Sequence, residues 1–186
     1  RAILDALERL LTEKTIAQLS VEDIAAAAGI SRSGFYFYFE NKYAALGDAL
    51  GDVGDAMARA AEDFFAGTDE PPEVYVPRAL SRVKDLWRRH ADLMVAIVDA
   101  AHSDAGARAL WDAWILRFVE SVAERIELER EAGRAPDGPP AEDLARTLML
   151  MNQAVLDHDA RNGVARGSGE ATVAALTHVW LTSIWS

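Results

Sequence analysis

Apolar side chains recur at three- and four-residue steps through nearly the whole chain, and alternation of apolar with polar residues never persists long enough for a strand. This pattern predicts an all-α protein of about nine helices. Ile3, Leu4, Leu7, Leu10 and Leu11 stripe the first. Ser20, with Asp23 three positions on, has the form of a capping box ahead of a short helix whose apolar face is Val21, Ile24, Ala25 and Ala28. Gly29 is placed to end that helix, Ser31 to cap a third one reaching about Phe39, and Asn41 to cap a long fourth one reaching Phe64. Breaks at 67–72, 133–140 and 163–169 punctuate the rest, with helices expected at 73–90, 92–101, 104–132, 141–162 and 170–185.

The helices change character along the chain. The early ones are short and polar-faced, and the later ones are rich in Trp, Leu, Met and Ala, which predicts a head of residues 1–46 and a body of residues 47–186. With 186 residues, 51% of them hydrophobic, the chain can build a substantial core. It has no cysteine, which excludes a disulfide framework, a thiol nucleophile and cysteine-held metal or iron–sulfur sites. No apolar run approaches a membrane span, and the first eleven residues carry charge throughout, so a cytoplasmic protein without a membrane partner is expected. The net charge of −11 argues against a nucleic-acid partner, because phosphate neutralisation dominates such binding. The distribution of charge weakens that objection: residues 1–46 hold five basic and six acidic side chains, net −1, so the acidity belongs to the body.

Within the head, two short helices joined through Ala25 to Gly29 have the spacing of a helix-turn-helix. The segment that follows, Ser31-Arg32-Ser33-Gly34-Phe35-Tyr36-Phe37-Tyr38-Phe39-Glu40-Asn41-Lys42, puts small polar residues and one arginine at a helix start, then five aromatics and a lysine. Phe35 and Phe39 share one helical face and read as core contacts. Tyr36 and Tyr38 point elsewhere, where their hydroxyls can reach phosphate oxygens, and Lys42 in the first turn of the next helix can form an anion site with the backbone N–H groups there. An aromatic core cluster with a solvated lysine would explain the phenylalanines and leave both tyrosines without a reason.

Thr15 to Leu46, above all Ser20-Val-Glu-Asp-Ile-Ala and Gly29 to Lys42, resembles the DNA-binding head of the tetracycline-repressor (TetR) family, one-component regulators that act as dimers and carry a helical ligand-binding body. A fainter likeness to the ethionamide-resistance-repressor (EthR) group of that family runs through Leu110-Trp111, Leu150-Met151-Asn152 and His178 to Ile184, and implies a long, mostly apolar pocket. The resemblance makes Arg32 and Ser33 readers of bases, places Ser31 and Gly34 at the groove, and makes Tyr36, Tyr38 and Lys42 phosphate clamps. Gly34 departs from the family, which often has threonine there, so more of the readout is expected of Arg32.

All five tryptophans lie in the expected body, from Trp87 onward. Each alone reads as core. Together, Trp87, Trp111, Trp114 and Trp180 with Phe118 and Met149 offer more aromatic and flexible apolar surface than a bundle needs, which predicts a cavity for a lipophilic small molecule. Asn152 sits in the apolar run 148–156, where its carboxamide would meet a ligand or bond a neighbouring helix. The last helix is apolar on two sides, with Leu176, Trp180 and Ile184 turned to the body and His178, Leu181 and Trp185 expected at a dimer interface. Gly47, Gly51 and Gly54 on the fourth helix would ease its tilting or simply allow close packing.

Catalysis finds little support. The histidines lack paired metal-ligand spacing, no phosphate loop or nucleophile elbow occurs, and the clusters Asp99/His102 and Asp157-His158-Asp159 read as helix-surface pairs, so neither a metal nor a cofactor nor an enzyme is expected. The combined expectation is a dimeric repressor that binds a palindromic double-stranded operator and is released by a lipophilic effector. The alternative is a helical small-molecule-binding or sequestering protein without DNA activity.

Overall fold

The computed structural model describes residues 1–68, 70–162 and 169–186, which contain ten α-helices and no strand. They are α1 (Ala2–Leu11), α2 (Val21–Ala27), α3 (Arg32–Tyr38), α4 (Lys42–Ala60), α5 (Glu62–Ala66), α6 (Pro72–Arg89), α7 (Ala91–Ser103), α8 (Ala105–Glu131), α9 (Ala141–Asn162) and α10 (Gly169–Ile184). The glycine-rich break expected at 163–169 falls, apart from Gly169, outside the described residues. No described helix is long and apolar enough to cross a membrane.

The local signals act as their chemistry requires. Ser20 and Asp23 close the capping box: the Asp23 N–H donates to Ser20 Oγ (3.1 Å) and the Ser20 N–H to Asp23 Oδ2 (2.9 Å). The Ser20 hydroxyl also donates to Asp23 Oδ2 (2.7 Å), and this bond first, with the Ser20 N–H second, holds the Asp23 carboxyl below its ordinary pKa. Gly29 takes φ +70° in the α2–α3 turn, and Asn41 Oδ1 accepts from the N–H groups of Tyr43 and Ala44, 2.9 Å each, to start α4. The tenth helix arises because α4 stops at Ala60. Ala61 leaves the helix (φ −102°, ψ 17°) and accepts from the Phe64 N–H (2.9 Å) before α5 begins. Ala61 and Phe64 are both buried, so the apolar spacing runs through this break without marking it.

The described chain forms two compact units, each built from two segments. The first comprises Arg1–Gly54 with His90–Ala113. In it α1 packs on α2, α2 on α3 and α1 on α7, so Leu93, Met94 and Ile97 of α7 join Leu7, Ile24, Phe35 and Leu46 in one core. The second unit comprises Asp55–Arg89 with Trp114–Ser186, and α10 packs chiefly on α6. Leu148, Leu176, Trp180 and Ile184 are buried there. The chain passes from one unit to the other inside α4, at the α6–α7 junction and inside α8.

In the second unit Glu129, only 1% exposed, gathers three partners. Arg134 forks onto it (3.0 and 2.8 Å), Arg125 pairs with it from one turn earlier (2.5 Å), and the Trp185 indole N–H donates to it (3.1 Å). Gly67, at φ +84°, leaves the room this needs, since a Cβ there would stand 2.6 Å from Arg125 Nη1.

Candidate nucleic-acid interface and effector cavity

The third helix displays its polar and aromatic side chains on the outside of the first unit. Phe35 is fully buried and holds α3 down, with the Phe39 ring 5.8 Å away. Ser31, Arg32, Ser33, Tyr36, Phe37 and Tyr38 are all exposed. The Ser31 hydroxyl accepts from the Gly34 N–H (3.0 Å) and lies 3.0 Å from Ser33 Oγ, so it is already engaged in capping α3. Arg32 meets the Glu22 carboxylate of α2, and its guanidinium lies 5.6 Å from the centre of the Tyr36 ring. The Tyr36 hydroxyl first and the Glu22 charge second hold its pKa above the ordinary arginine value. Gly34 is half-buried against its cap: an added Cβ would stand 3.3 Å from Ser31 Oγ, closer than ordinary contact, and 3.6 Å from Ile30 Cβ.

Lys42 departs from the expected phosphate clamp. Its ammonium donates to the carbonyls of Ile16 (2.7 Å), Leu19 (2.8 Å) and Ala17 (3.4 Å), three acceptors for three N–H groups. The nearby N–H groups expected to complete an anion site are taken by Asn41. Lys42 therefore fastens the turn before α2. Sequence reasoning missed it because the acceptors lie 23 to 26 residues away. It also passed over two exposed side chains at this surface, Glu22 and Phe37, although the helical phase that turns Tyr36 outward does the same for Phe37, 83% exposed.

An apolar cavity of about 70 Å³ lies inside the second unit. Of the expected lining, Trp87, Trp114, Phe118, Met149, Asn152 and Trp180 are present. Trp111 is not: it is buried in the first unit, because α8 passes between units just after it. Phe64 and Phe65 of α5 line the cavity instead, with Phe64 edge-on to Trp180 at 5.4 Å. Asn152 is 7% exposed, and its Oδ1 accepts from the Trp180 indole N–H (3.0 Å), so its partner is a tryptophan side chain of α10. The Nδ2 amide is what Asn152 has left to offer.

Of the three α10 residues expected at a dimer interface, Trp185 alone is turned elsewhere. His178 is exposed and Leu181 half-buried in a shallow groove beside Pro77 and Thr177. Trp185 turns inward, bonded to Glu129 and edge-on to Tyr75 at 6.2 Å, because a buried carboxylate and ring hold it there. The exposed positions of α10 run along Ala171, Ala174, Ala175, His178, Val179 and Thr182, and α9 exposes Leu150, Ala154 and His158. The acidic–histidine clusters are locally paired: His102 Nδ1 lies 2.7 Å from the Val98 carbonyl, Asp157 bonds Arg161 (2.8 Å), and Asp159 accepts from Thr172 (3.0 Å). No group of three metal-ligating side chains occurs among the described residues.

Residues 3–47 match the bacterial regulatory proteins of the tetR family, and residues 76–186 match the C-terminal domain of the transcriptional regulator EthR. The chain is 36% identical to the HTH-type transcriptional regulator EthR of Mycolicibacterium smegmatis, covering 99% of this chain and 85% of that protein. It is 33% identical to the regulator of the same name in Mycobacterium tuberculosis, over 99% and 86%. In fold it is similar to the fatty acid degradation regulator FadR of Bacillus halodurans, with a TM-score of 0.78 at 17% identity over 97% and 93% of the two chains. These relatives are DNA-binding transcriptional regulators, which disfavours the sequestering alternative. The exposed recognition helix, the helical body and these likenesses agree, and the chain belongs to the TetR family of bacterial transcriptional regulators, in its EthR-like group.

Proposed function

We propose that two copies of this chain join through α9 and α10, place two α3 helices in successive major grooves of a palindromic operator, and leave it when a lipophilic small molecule fills the cavity. Residues 1–46 supply the DNA contacts and residues 47–186 the effector and dimer surfaces. The observation that carries this reading is the row of exposed groups on α3, with Arg32 and Ser33 available to bases and the Tyr36 and Tyr38 hydroxyls to phosphates. Two-fold symmetry spaces the helices about one duplex turn apart, roughly 34–36 Å. Leu150 and Val179, 48% and 37% exposed, are the apolar anchors offered to the partner copy. In the cavity, a ligand bearing a carbonyl can accept from Asn152 Nδ2 while its apolar part lies against Trp114, Phe118 and Trp180. Effector release then requires the ligand to bind one arrangement of the protein better than the other. The protein acts in the cytoplasm, where its operator is.

A gel shift with DNA from upstream of the protein's own gene tests the first part, with a retarded band at dimer stoichiometry expected. Native mass spectrometry of the purified protein, followed by addition of any recovered ligand to the shifted complex, tests the second. Absence of binding to that DNA and to every duplex in a randomised pool removes the reading.

A further inference from the structure

We propose that Glu22 is a specificity-determining residue of the DNA-binding head, acting by holding the Arg32 guanidinium for base readout and against phosphate capture. This rests on the proposed role of Arg32. Glu22 lies in the first turn of α2 and Arg32 in the first turn of α3, ten residues later, and the α2–α3 turn brings their side chains into contact. Both stay more than half exposed, at 53% and 61% of their side-chain surface. A pair so open to water adds little to folding. Its position at the start of the recognition helix gives it another use.

Glu22 takes Arg32 through Nη1, and the Tyr36 ring lies under the guanidinium. Glu22 engages only one of the three guanidinium nitrogens, which leaves donors for a base edge, in the planar fork that matches guanine N7 and O6. Without a tether, a long arginine at a duplex surface has phosphates on either side to choose from, and these carry no sequence information. Glu22 works against that choice twice. It fixes where the fork points, and its own negative charge repels a phosphate that would replace it. The head therefore gives up general affinity for discrimination, which is how a repulsive element produces specificity.

The test uses the full-length protein and a duplex site enriched by the parent from a randomised library. Four proteins are compared on that site and on random duplex over a salt series: parent, Glu22→Gln, Arg32→Ala and the double variant. Glu40→Gln, which neutralises another exposed acid of the head, is the control for long-range charge. Glu22→Gln keeps the shape and the helix, so circular dichroism should match the parent. Its random-duplex binding should strengthen and steepen by about one ion, as Arg32 becomes free for a phosphate. Its operator-to-random ratio should fall about 3- to 10-fold, part of what one bidentate base contact supplies. In the Arg32→Ala background Glu22→Gln should leave the ratio unmoved, and Glu40→Gln should shift both affinities together. If Arg32→Ala relaxes the preference for a guanine while Glu22→Gln keeps or raises the ratio, the role of Glu22 is overturned and base reading by Arg32 stands. If Arg32→Ala leaves the preference intact, or no site is enriched, base reading and this inference fall together.

Discussion

Replacing Lys42 with methionine separates two roles that a lysine at the start of α4 can have. Methionine keeps the apolar stem and removes only the ammonium. The loss comprises two short bonds, to the carbonyls of Ile16 and Leu19, and one longer bond to Ala17. Hydrogen bonds from a charged donor contribute about 1.5–3 kcal/mol each, and at a half-buried site water replaces part of that, so the two short ones together give about 2–3 kcal/mol. The cost should fall locally, in the 16–19 turn, because Leu19 leads straight into the Ser20 cap of α2. Amide hydrogen exchange resolves it as faster opening across that turn and α2, with the second unit unchanged. A salt titration of random-duplex binding supplies the other half. A phosphate clamp adds about 0.9 to the slope of log affinity against log salt, and Lys42→Met should leave that slope where it was. A slope reduced by about one ion with exchange in the turn unaltered would refute the fastening role and restore Lys42 to the phosphate contacts.

Three further outcomes follow from the packing. Glu129→Gln should destabilise the second unit by about 3 kcal/mol or more, since it leaves Arg125 and Arg134 beside a neutral group. Arg134 above all, then Trp185 and Arg125, hold the Glu129 carboxyl below its ordinary value of 4.5 despite its burial, so its contribution is complete above pH 4.5 and vanishes as pH falls through the depressed value. Urea titrations should therefore show the gap between parent and variant closing in acid, and a gap constant from pH 7 to pH 3 would contradict this. Val179→Glu should give a monomer by sedimentation with the helical signal retained, whereas Trp185→Ala should cost stability and leave the dimer in place; the reverse pattern would return Trp185 to the partner surface. Gly51→Ala should stabilise the protein by about 0.5–1 kcal/mol, because an added Cβ there meets nothing within 4 Å, while Gly47→Ala should gain less, its Cβ standing 2.9 Å from the tip of Leu110; equal melting shifts would show that Leu110 yields freely.

The helices from α2 to the start of α4 were readable from the chain because their boundaries have local causes: Ser20, Ser31 and Asn41 cap, and Gly29 turns. The α4–α5 break was not, because an inward-facing Ala61 and Phe64 keep helical spacing across it. Of the proposed groups, the exposed α3 side chains follow from phase within one short helix. The role of Lys42, the turning inward of Trp185 and the separation of Trp111 from the cavity depend on partners 23 to 56 residues away or on where α8 changes units, and periodicity carries no trace of either. Glu129 illustrates the same limit: in sequence it is one acid in a run of charged helix, and only the approach of Arg134 and Trp185 makes it a buried centre.

The charge of the head takes on a different meaning once its cations are followed individually. Arg1 meets Asp5 and Asp52, Arg9 donates to the Ala27 carbonyl, Lys42 is spent on three carbonyls, and Arg32 is held by Glu22. Among the described residues this leaves Lys14 as the head cation with no hydrogen-bonded partner. On the proposed reading, these residues by themselves neutralise few phosphates and so release few counterions. Beside the Arg32 guanidinium, the groups that α3 would bring to the groove on that reading are neutral: tyrosine hydroxyls, the Ser33 hydroxyl and the exposed Phe37 ring. Such contacts act only at close range and in register, and they are the kind a two-fold pair of heads multiplies, since the second head binds at the effective concentration set by the first. The acidity of the body and the near-neutrality of the head are then compatible with DNA binding, because both shift the balance from affinity for all duplexes towards affinity for one.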